Sequence, residues 1–351
     1  MAKRSAPPEP NDSDRIEGFA HPRETFSLLG QDAALARAAR ALRAGRPPSA
    51  WLITGPPGVG KATLAYRIAR YLLAHGATDA GPDDLSVPPD DATARQVAAQ
   101  SHPGLLILKR ALNPRTGKLM TVLSVDEIRR LADFFGMTSG AGGWRVAIVD
   151  TADDMNDNAA NALLKMLEEP PFNAMLLLLS NTPGRLLPTI RSRCQRLDLR
   201  PLEDGVLQKA LAHHLPDLAA AERASLARLS GGSIGAALTL ATGEGGQLAE
   251  EADRLIDHAA SPDLLALLTL GEKLFRMRDG LTLFGDFLAA SLSDRIRAKA
   301  RDGVPGLERW VAVQGRIEDG FSRAAGLNLE PRQTVLAAAR DLAQVARRGS
   351  L

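Results

Sequence analysis

Ala50-Trp51-Leu52-Ile53-Thr54-Gly55-Pro56-Pro57-Gly58-Val59-Gly60-Lys61-Ala62-Thr63 reads as a short apolar run, a glycine-rich turn and the opening of a helix. That order is what a phosphate-binding loop between a buried strand and a helix requires. The glycines let backbone N–H groups approach phosphate oxygens, the helix N-terminus adds partial positive charge, and Lys61 supplies a point charge. Working outward, further apolar runs predict strands over residues 104–108, 145–150, 175–180 and 195–199. Between them Leu64, Ile68 and Leu72 recur at helical spacing, as do Ile128, Leu131 and Phe135, and then Ala160, Leu163, Leu164 and Leu167. Strands alternating with amphipathic helices predict a doubly wound α/β domain with a parallel sheet over residues 19–200.

Pro201 interrupts the pattern, and three short helical stretches follow over 207–215, 219–229 and 234–241, forming a small helical lid over 201–243. Gly243-Glu244-Gly245-Gly246 reads as a hinge. Beyond it, residues 247–351 read as helical, with Phe284, Leu288, Leu292 and Ile296 in one stripe. The fold class is therefore α/β followed by all-α. Residues 75–92, rich in Gly, Pro and Asp, read as a surface loop, and residues 1–18 as a disordered tail.

With 351 residues and 45% hydrophobic content, the chain can bury two or three cores. Its apolar runs are far shorter than the ~20 residues that span a bilayer, and the polar N-terminus has no apolar signal region, so a cytoplasmic protein without membrane contact is expected. One cysteine, Cys194, permits neither an internal disulfide nor a cysteine-based zinc site, and the six histidines are not spaced to replace it. No metal held by a protein ligand cluster is expected. A net charge of +2 does not by itself argue for nucleic acid. Arg295, Arg297, Lys299 and Arg301 offer either a solvated helix end or a contact to DNA or a partner.

The remaining motifs concern what the loop can do with a nucleotide. The position after Lys61 is normally Ser or Thr, whose hydroxyl ligates magnesium; here it is Ala62, and Thr63 is rotated about 100° around the helix. Arg145-Val146-Ala147-Ile148-Val149-Asp150 has the form of a Walker B strand, with Asp150 placed to hold magnesium through water, unless it caps a turn. Thr151 follows where ATP-hydrolysing relatives carry the glutamate that activates water, and general-base catalysis is typically worth about 10²–10⁴ in rate. Asp153 and Asp154 are the nearest spare carboxylates and are expected to cap the helix starting near Asn156. Asn181, ending the next strand, stands either between the magnesium site and the γ-phosphate or in an ordinary turn before Pro183. The segment as a whole (Gly55, Pro56, Pro57, Gly58, Val59, Gly60, Lys61, Ala62, Thr63, Asp150, Asn181) thus reads as a degenerate nucleotide site, with ATP and magnesium held weakly or as a structural ligand. Arg193, in Arg191-Ser192-Arg193-Cys194, lies at a domain edge and away from the chain's own loop. An arginine supplied in trans to a phosphoryl transfer can be worth about 10³–10⁵ in rate, so this chain reads as a donor to a neighbour's site.

Four stretches together resemble the AAA+ clamp-loader family: residues 55–61; Asn158 to Lys165 running into Leu167-Glu168-Glu169-Pro170-Pro171; Leu186 to Cys194; and Gly232 to Leu238. The resemblance implies a P-loop AAA+ domain, a lid and a C-terminal collar that joins five subunits in an open ring. It also implies that Arg193 is the trans-acting arginine finger. In the family's ATPases the lid carries an arginine in a Gly-Ser-x-Arg pattern, where this chain has Gly235. Many members also carry a four-cysteine zinc module that this chain lacks. The implied role is a hydrolysis-deficient stator in a DNA polymerase holoenzyme. Its partners would be the gamma/tau and delta subunits, the sliding clamp and primed DNA. An active ATPase of the gamma/tau type is the alternative, and a P-loop kinase or small-molecule transferase the more distant one.

Overall fold

The computed structural model describes residues 15–111, 120, 122–136, 143–277, 280–327 and 329–347. Residues 1–14 of the expected tail lie outside them. The chain divides into two compact units, one built on Phe19–Pro201 and the other on Leu202–Leu351.

The first unit runs α1 (Asp32–Arg43), β1 (Ala50–Thr54), α2 (Lys61–His75), α3 (Ala92–Ala98), β2 (Leu105–Leu108), α4 (Val125–Gly136), β3 (Arg145–Val149), α5 (Asp157–Glu168), β4 (Ala174–Ser180), α6 (Pro188–Arg193) and β5 (Gln195–Asp198). The strands form a five-stranded sheet ordered β2-β3-β4-β1-β5, with every neighbouring pair parallel. Its two faces follow from the period of two along a strand. Trp51, Ile53, Val146, Ile148, Met175 and Leu177 join one buried core with α1, α2 and α3. Ala50, Leu52, Ala147, Val149, Leu176 and Leu178 join a second with α4, α5 and α6. Both faces are covered, which is why β1 and β4 are buried along their whole length.

Two buried arginines on α2 hold the segment before α1 against the sheet unit. Arg70 donates to the carbonyls of Arg23 and Thr25 and lies 4.4 Å over the Phe26 ring. Arg67 donates to the Phe26 and Asp84 carbonyls. Burial, with the nearby charge of Arg67, lowers the Arg70 guanidinium to about 10. The loop expected over 75–92 begins one residue later, after His75 closes α2, and has neither helix nor strand from Gly76 to Asp91, but it is not merely superficial. Leu85 and Val87 are buried in the first core, and α3 follows directly.

The second unit is helical: α7 (Asp204–His214), α8 (Ala220–Leu229), α9 (Ile234–Ala241), α10 (Gly243–Asp257), α11 (Leu264–Arg276), α12 (Gly280–Arg301), α13 (Glu308–Leu327) and α14 (Pro331–Ala346). Phe284, Leu288, Leu292 and Ile296 are all buried, so the stripe faces the core. The glycine-rich hinge expected at 243–246 is instead the first turn of α10. Each interior glycine costs a helix about 1 kcal/mol against alanine, and burial of Leu248, Ala252, Leu255 and Ile256 on one face of α10 offsets it. Close approach of α12 and α13 depends on Gly285, where a Cβ would stand 2.7 Å from Cβ and Cγ of Phe321. Among the described residues no helix is long and apolar enough to cross a membrane.

Candidate nucleotide loop and exposed arginine

The loop leaves β1 through Gly55, whose φ is 148°, and turns through Gly58 and Gly60 at φ 72° and 102°. A side chain at Gly55 would place its Cβ 2.6 Å from the Leu199 carbonyl oxygen, so a strained conformation and a crowded neighbour both require glycine. Gly60 is the N-cap of α2 and contributes no side-chain cap. The N–H groups of the first turn of α2 therefore point back into the loop, carrying the positive end of the helix dipole. Lys61 is largely buried, and its ammonium donates to the carbonyls of Gly55 and Pro56 at 2.7 and 2.6 Å. Gln31 ties the loop to the end of β5: its amide donates to the carbonyls of Val59 (3.2 Å) and Arg200 (2.8 Å) and accepts from the Arg200 N–H. The sequence reading missed Gln31, since a lone glutamine before a helix carries no periodic or motif signal. Glycines in left-handed backbone, a buried lysine and an uncapped helix start fit a phosphate chain. For magnesium the fit is poorer, because position 62 has no hydroxyl.

The parallel ladder carries the other predicted residues to the same carboxyl edge of the sheet. Ser180 is level with Thr54, which sets Asn181 beside the start of the loop, and Asp150 follows β3 one strand further out. Thr151 Oγ1 lies 3.4 Å from Asp150 Oδ1. Asp153 and Asp154 do not cap α5; Asn156 does, accepting from the Ala159 N–H. Asp153 instead accepts from Ser180 Oγ (2.7 Å) and from the N–H groups of Asn181 (2.5 Å) and Thr182 (3.2 Å), fixing the turn after β4. Asp154 pairs with Arg110 at 3.1 Å. The turn after β4 leaves three donors converging on one point, and the best-placed acceptor wins over a helix N-terminus that already has its own cap. Beside the loop, burial acts to raise the Asp198 carboxyl. Donation from Thr54 and Arg196 and the charges of Arg196 and Arg37 outweigh it and hold Asp198 below its usual value.

Arg193 is elsewhere. It ends α6, at the amino end of β5, and Gln195 is level with Trp51 on β1. At about 3.3 Å per residue the loop at Gly55 begins roughly 13 Å further along the sheet, at its opposite end. The guanidinium is partly exposed (36%) and donates to Glu168 Oε1 at 2.8 Å and to the Thr189 carbonyl at 3.1 Å. The next residue turns inward: burial pushes the Cys194 thiol up to about 12. In the helical unit, Gly235 lies in the first turn of α9 behind the Ser233 cap, so no basic side chain is carried there.

Residues 30–203 match the family model for DNA polymerase III, delta subunit. The chain is 39% identical over 187 residues to the DNA polymerase III subunit delta' of Pseudomonas aeruginosa, covering 52% of this chain and 53% of that one. It is 36% identical over 208 residues to the subunit delta' of Escherichia coli, covering 59% of each. It is also 30% identical over 222 residues to the E. coli subunit tau, covering 62% of this chain and 32% of that one. The chain thus spans between about half and three fifths of the delta' relatives it matches. Residues 30–203, which hold both the glycine-rich loop and the Ser192-Arg193-Cys194 segment, thus match the DNA polymerase III delta family model, and over 52% and 59% of its length the chain is similar to delta' subunits of that polymerase.

Proposed function

We propose that this chain is a stator: a cytoplasmic clamp-loader subunit that hydrolyses little or no ATP itself and donates Arg193 to the nucleotide of a neighbouring gamma/tau subunit. With delta, it would thereby support loading of the sliding clamp on primed DNA within the polymerase holoenzyme. The observation that carries this reading is the place of Arg193, partly exposed and at the opposite end of the sheet from its own phosphate loop. From there it serves another molecule's phosphate or none.

The energetics favour the exchange. The Arg193–Glu168 pair is exposed on both sides (36% and 51%), and such pairs are worth about 0.2–1 kcal/mol. A finger worth about 10³–10⁵ in rate corresponds to roughly 4–7 kcal/mol of transition-state stabilisation. Glu168 therefore holds the guanidinium in place without competing seriously with a developing phosphoryl charge.

The chain's own loop supports nucleotide binding better than hydrolysis. Backbone N–H groups of residues 55–61 and the Lys61 ammonium would hold the phosphates, once Lys61 turns from the Gly55 and Pro56 carbonyls; Asp150 would face magnesium. Bound magnesium would neutralise phosphate charge there. Thr151 cannot take a proton from water near neutral pH, and the two carboxylates that follow are occupied, Asp153 by the turn after β4 and Asp154 by Arg110. Ala62 and Gly235 remove two further groups that ATPases of this family use.

The similarity to subunit tau keeps an active ATPase as the second reading. ATP turnover separates the two, measured for the chain alone and mixed with gamma/tau, delta, clamp and primed DNA, using wild type and Arg193→Ala. The stator reading expects negligible turnover alone and Arg193-dependent turnover in the mixture. Robust turnover alone would make the chain a motor, and an unchanged mixture rate with Arg193→Ala would remove the finger.

A further inference from the structure

The turn between α5 and β4, Pro170-Pro171-Phe172-Asn173, carries the most exposed large apolar side chain of the described residues: Phe172 is 95% accessible. It is held out rigidly. Pro170 and Pro171 fix their own φ, the Ala174 N–H closes the turn on the Pro171 carbonyl, and the Asn173 carbonyl accepts from the Arg145 N–H at 2.8 Å. Asn173 itself sits at φ 54°. A backbone pinned on both sides of the ring keeps it from folding onto its own core. An anchor already ordered in this way loses little further freedom when it is covered.

The turn shares an edge with Arg193. Phe172 stands two residues before β4 and Arg193 two residues before β5, the strands on either side of β1, so both lie at the amino end of the sheet. Glu168, four residues before Phe172 at the end of α5, holds the Arg193 guanidinium. Water-excluding aromatic anchors beside arginine are the composition of energetic centres in protein contacts. Covering the ring would also dry the surroundings of the guanidinium, and charge interactions strengthen as the local dielectric falls.

We propose that Phe172 is the apolar anchor of the contact in which Arg193 acts, seated in an apolar recess of the neighbouring ATP-carrying subunit beside its nucleotide. The inference rests on the reading of Arg193 given above. Arg193 supplies the rate and Phe172 the fit. The two are therefore separable by experiment.

The test titrates the full-length chain with the gamma/tau subunit of its own organism, in the presence of delta, clamp, primed DNA and ATP. It records the maximal ATPase rate and the gamma/tau concentration giving half of it. Phe172→Ala is expected to raise that concentration by roughly ten- to hundred-fold, the range for losing a buried Phe side chain, while the maximal rate is kept. Phe172→Leu should restore most of the affinity, and Arg193→Ala should lower the rate with little change in the concentration. Thermal melts of both Phe172 variants should overlay the wild type, since an exposed ring contributes little to folding. If Phe172→Ala leaves both quantities unchanged while Arg193→Ala lowers the rate, the anchor is wrong and the finger stands. If Arg193→Ala has no effect but Phe172→Ala still weakens assembly, the contact stands without the finger. If Phe172→Ala changes only self-association of the chain in sedimentation, the ring contacts a second copy and the proposal is overturned.

Discussion

Replacing Asp153 with alanine tests whether this carboxylate ties the end of β3 to the turn after β4. The substitution removes the acceptor for three donors: Ser180 Oγ and the N–H groups of Asn181 and Thr182. Ser180 is fully buried, so its hydroxyl loses its partner away from water, at a cost of about 1–3 kcal/mol. Asn181 and Thr182 are exposed, so water takes over their N–H groups and only the excess strength of a charge-assisted bond is forfeited, about 0.5 kcal/mol each. The total is about 2–4 kcal/mol, or roughly 4–16 °C in the melting of a unit this size. Urea unfolding in a Trp310→Phe background isolates the sheet unit, because Trp51 and Trp144 are then the remaining tryptophans and both lie in it. The same series should include Ser180→Ala and the double variant. If the stranded hydroxyl carries most of the cost, removing it recovers about 1 kcal/mol or more as a coupling energy. A loss below about 0.5 kcal/mol for Asp153→Ala, or no coupling to Ser180, would refute the tie and return Asp153 to a role at the start of α5.

Two further predictions concern the core. Cys194, with its thiol raised to about 12 by burial, should react with a thiol reagent at pH 7.5 only as fast as the sheet unit opens; in urea it should react completely and at once, and equally fast labelling of native protein would contradict the burial. Gly285→Ala forces a methyl against Phe321 and should destabilise the helical unit by about 1–3 kcal/mol, read from Trp310 fluorescence in urea, whereas Gly315→Ala, with nothing within 4 Å of the added atom, should be neutral or stabilising.

The sheet was legible because its strands are short, apolar and bounded by turn residues. Residues 50–54 coincide with β1, and the other four strands differ from their expected spans by one residue at an end. The three short helices after Pro201 and the Phe284 stripe are also legible, being periodic, although α7 starts three residues before its expected span. What sequence pattern could not carry was tertiary competition. Asp153 and Asp154 look like helix caps beside Asn156, and only the fold brings Ser180, Asn181 and Arg110 within their reach. Gly243 and Gly246 look like a hinge because local propensity omits the apolar face that α10 buries two turns later. Helix α1 leaves little trace in the sequence for a related reason: its buried face is largely Ala34, Ala38 and Ala39, with Leu42 the one large buried residue, and small side chains give a faint stripe. Phe172 carries no signal of its own, since an isolated aromatic in a sequence does not announce which way it points.

The strand order has a consequence for how the chain is made. Trp51 on β1 donates its indole N–H to Gln195 on β5, 144 positions later, and the other neighbour of β1 is β4. At a synthesis rate of about 5–20 residues per second, β1 waits roughly 7–30 s for its last partner to be translated. Until β4 is translated, which is most of that interval, Ala-Trp-Leu-Ile-Thr is an uncharged segment with both edges open, the kind that pairs with other chains. This interior strand, the one that launches the phosphate loop, thus waits longer for its partners than any other strand of the sheet, and substitutions that slow β4 or β5 would surface first as lost yield rather than lost activity.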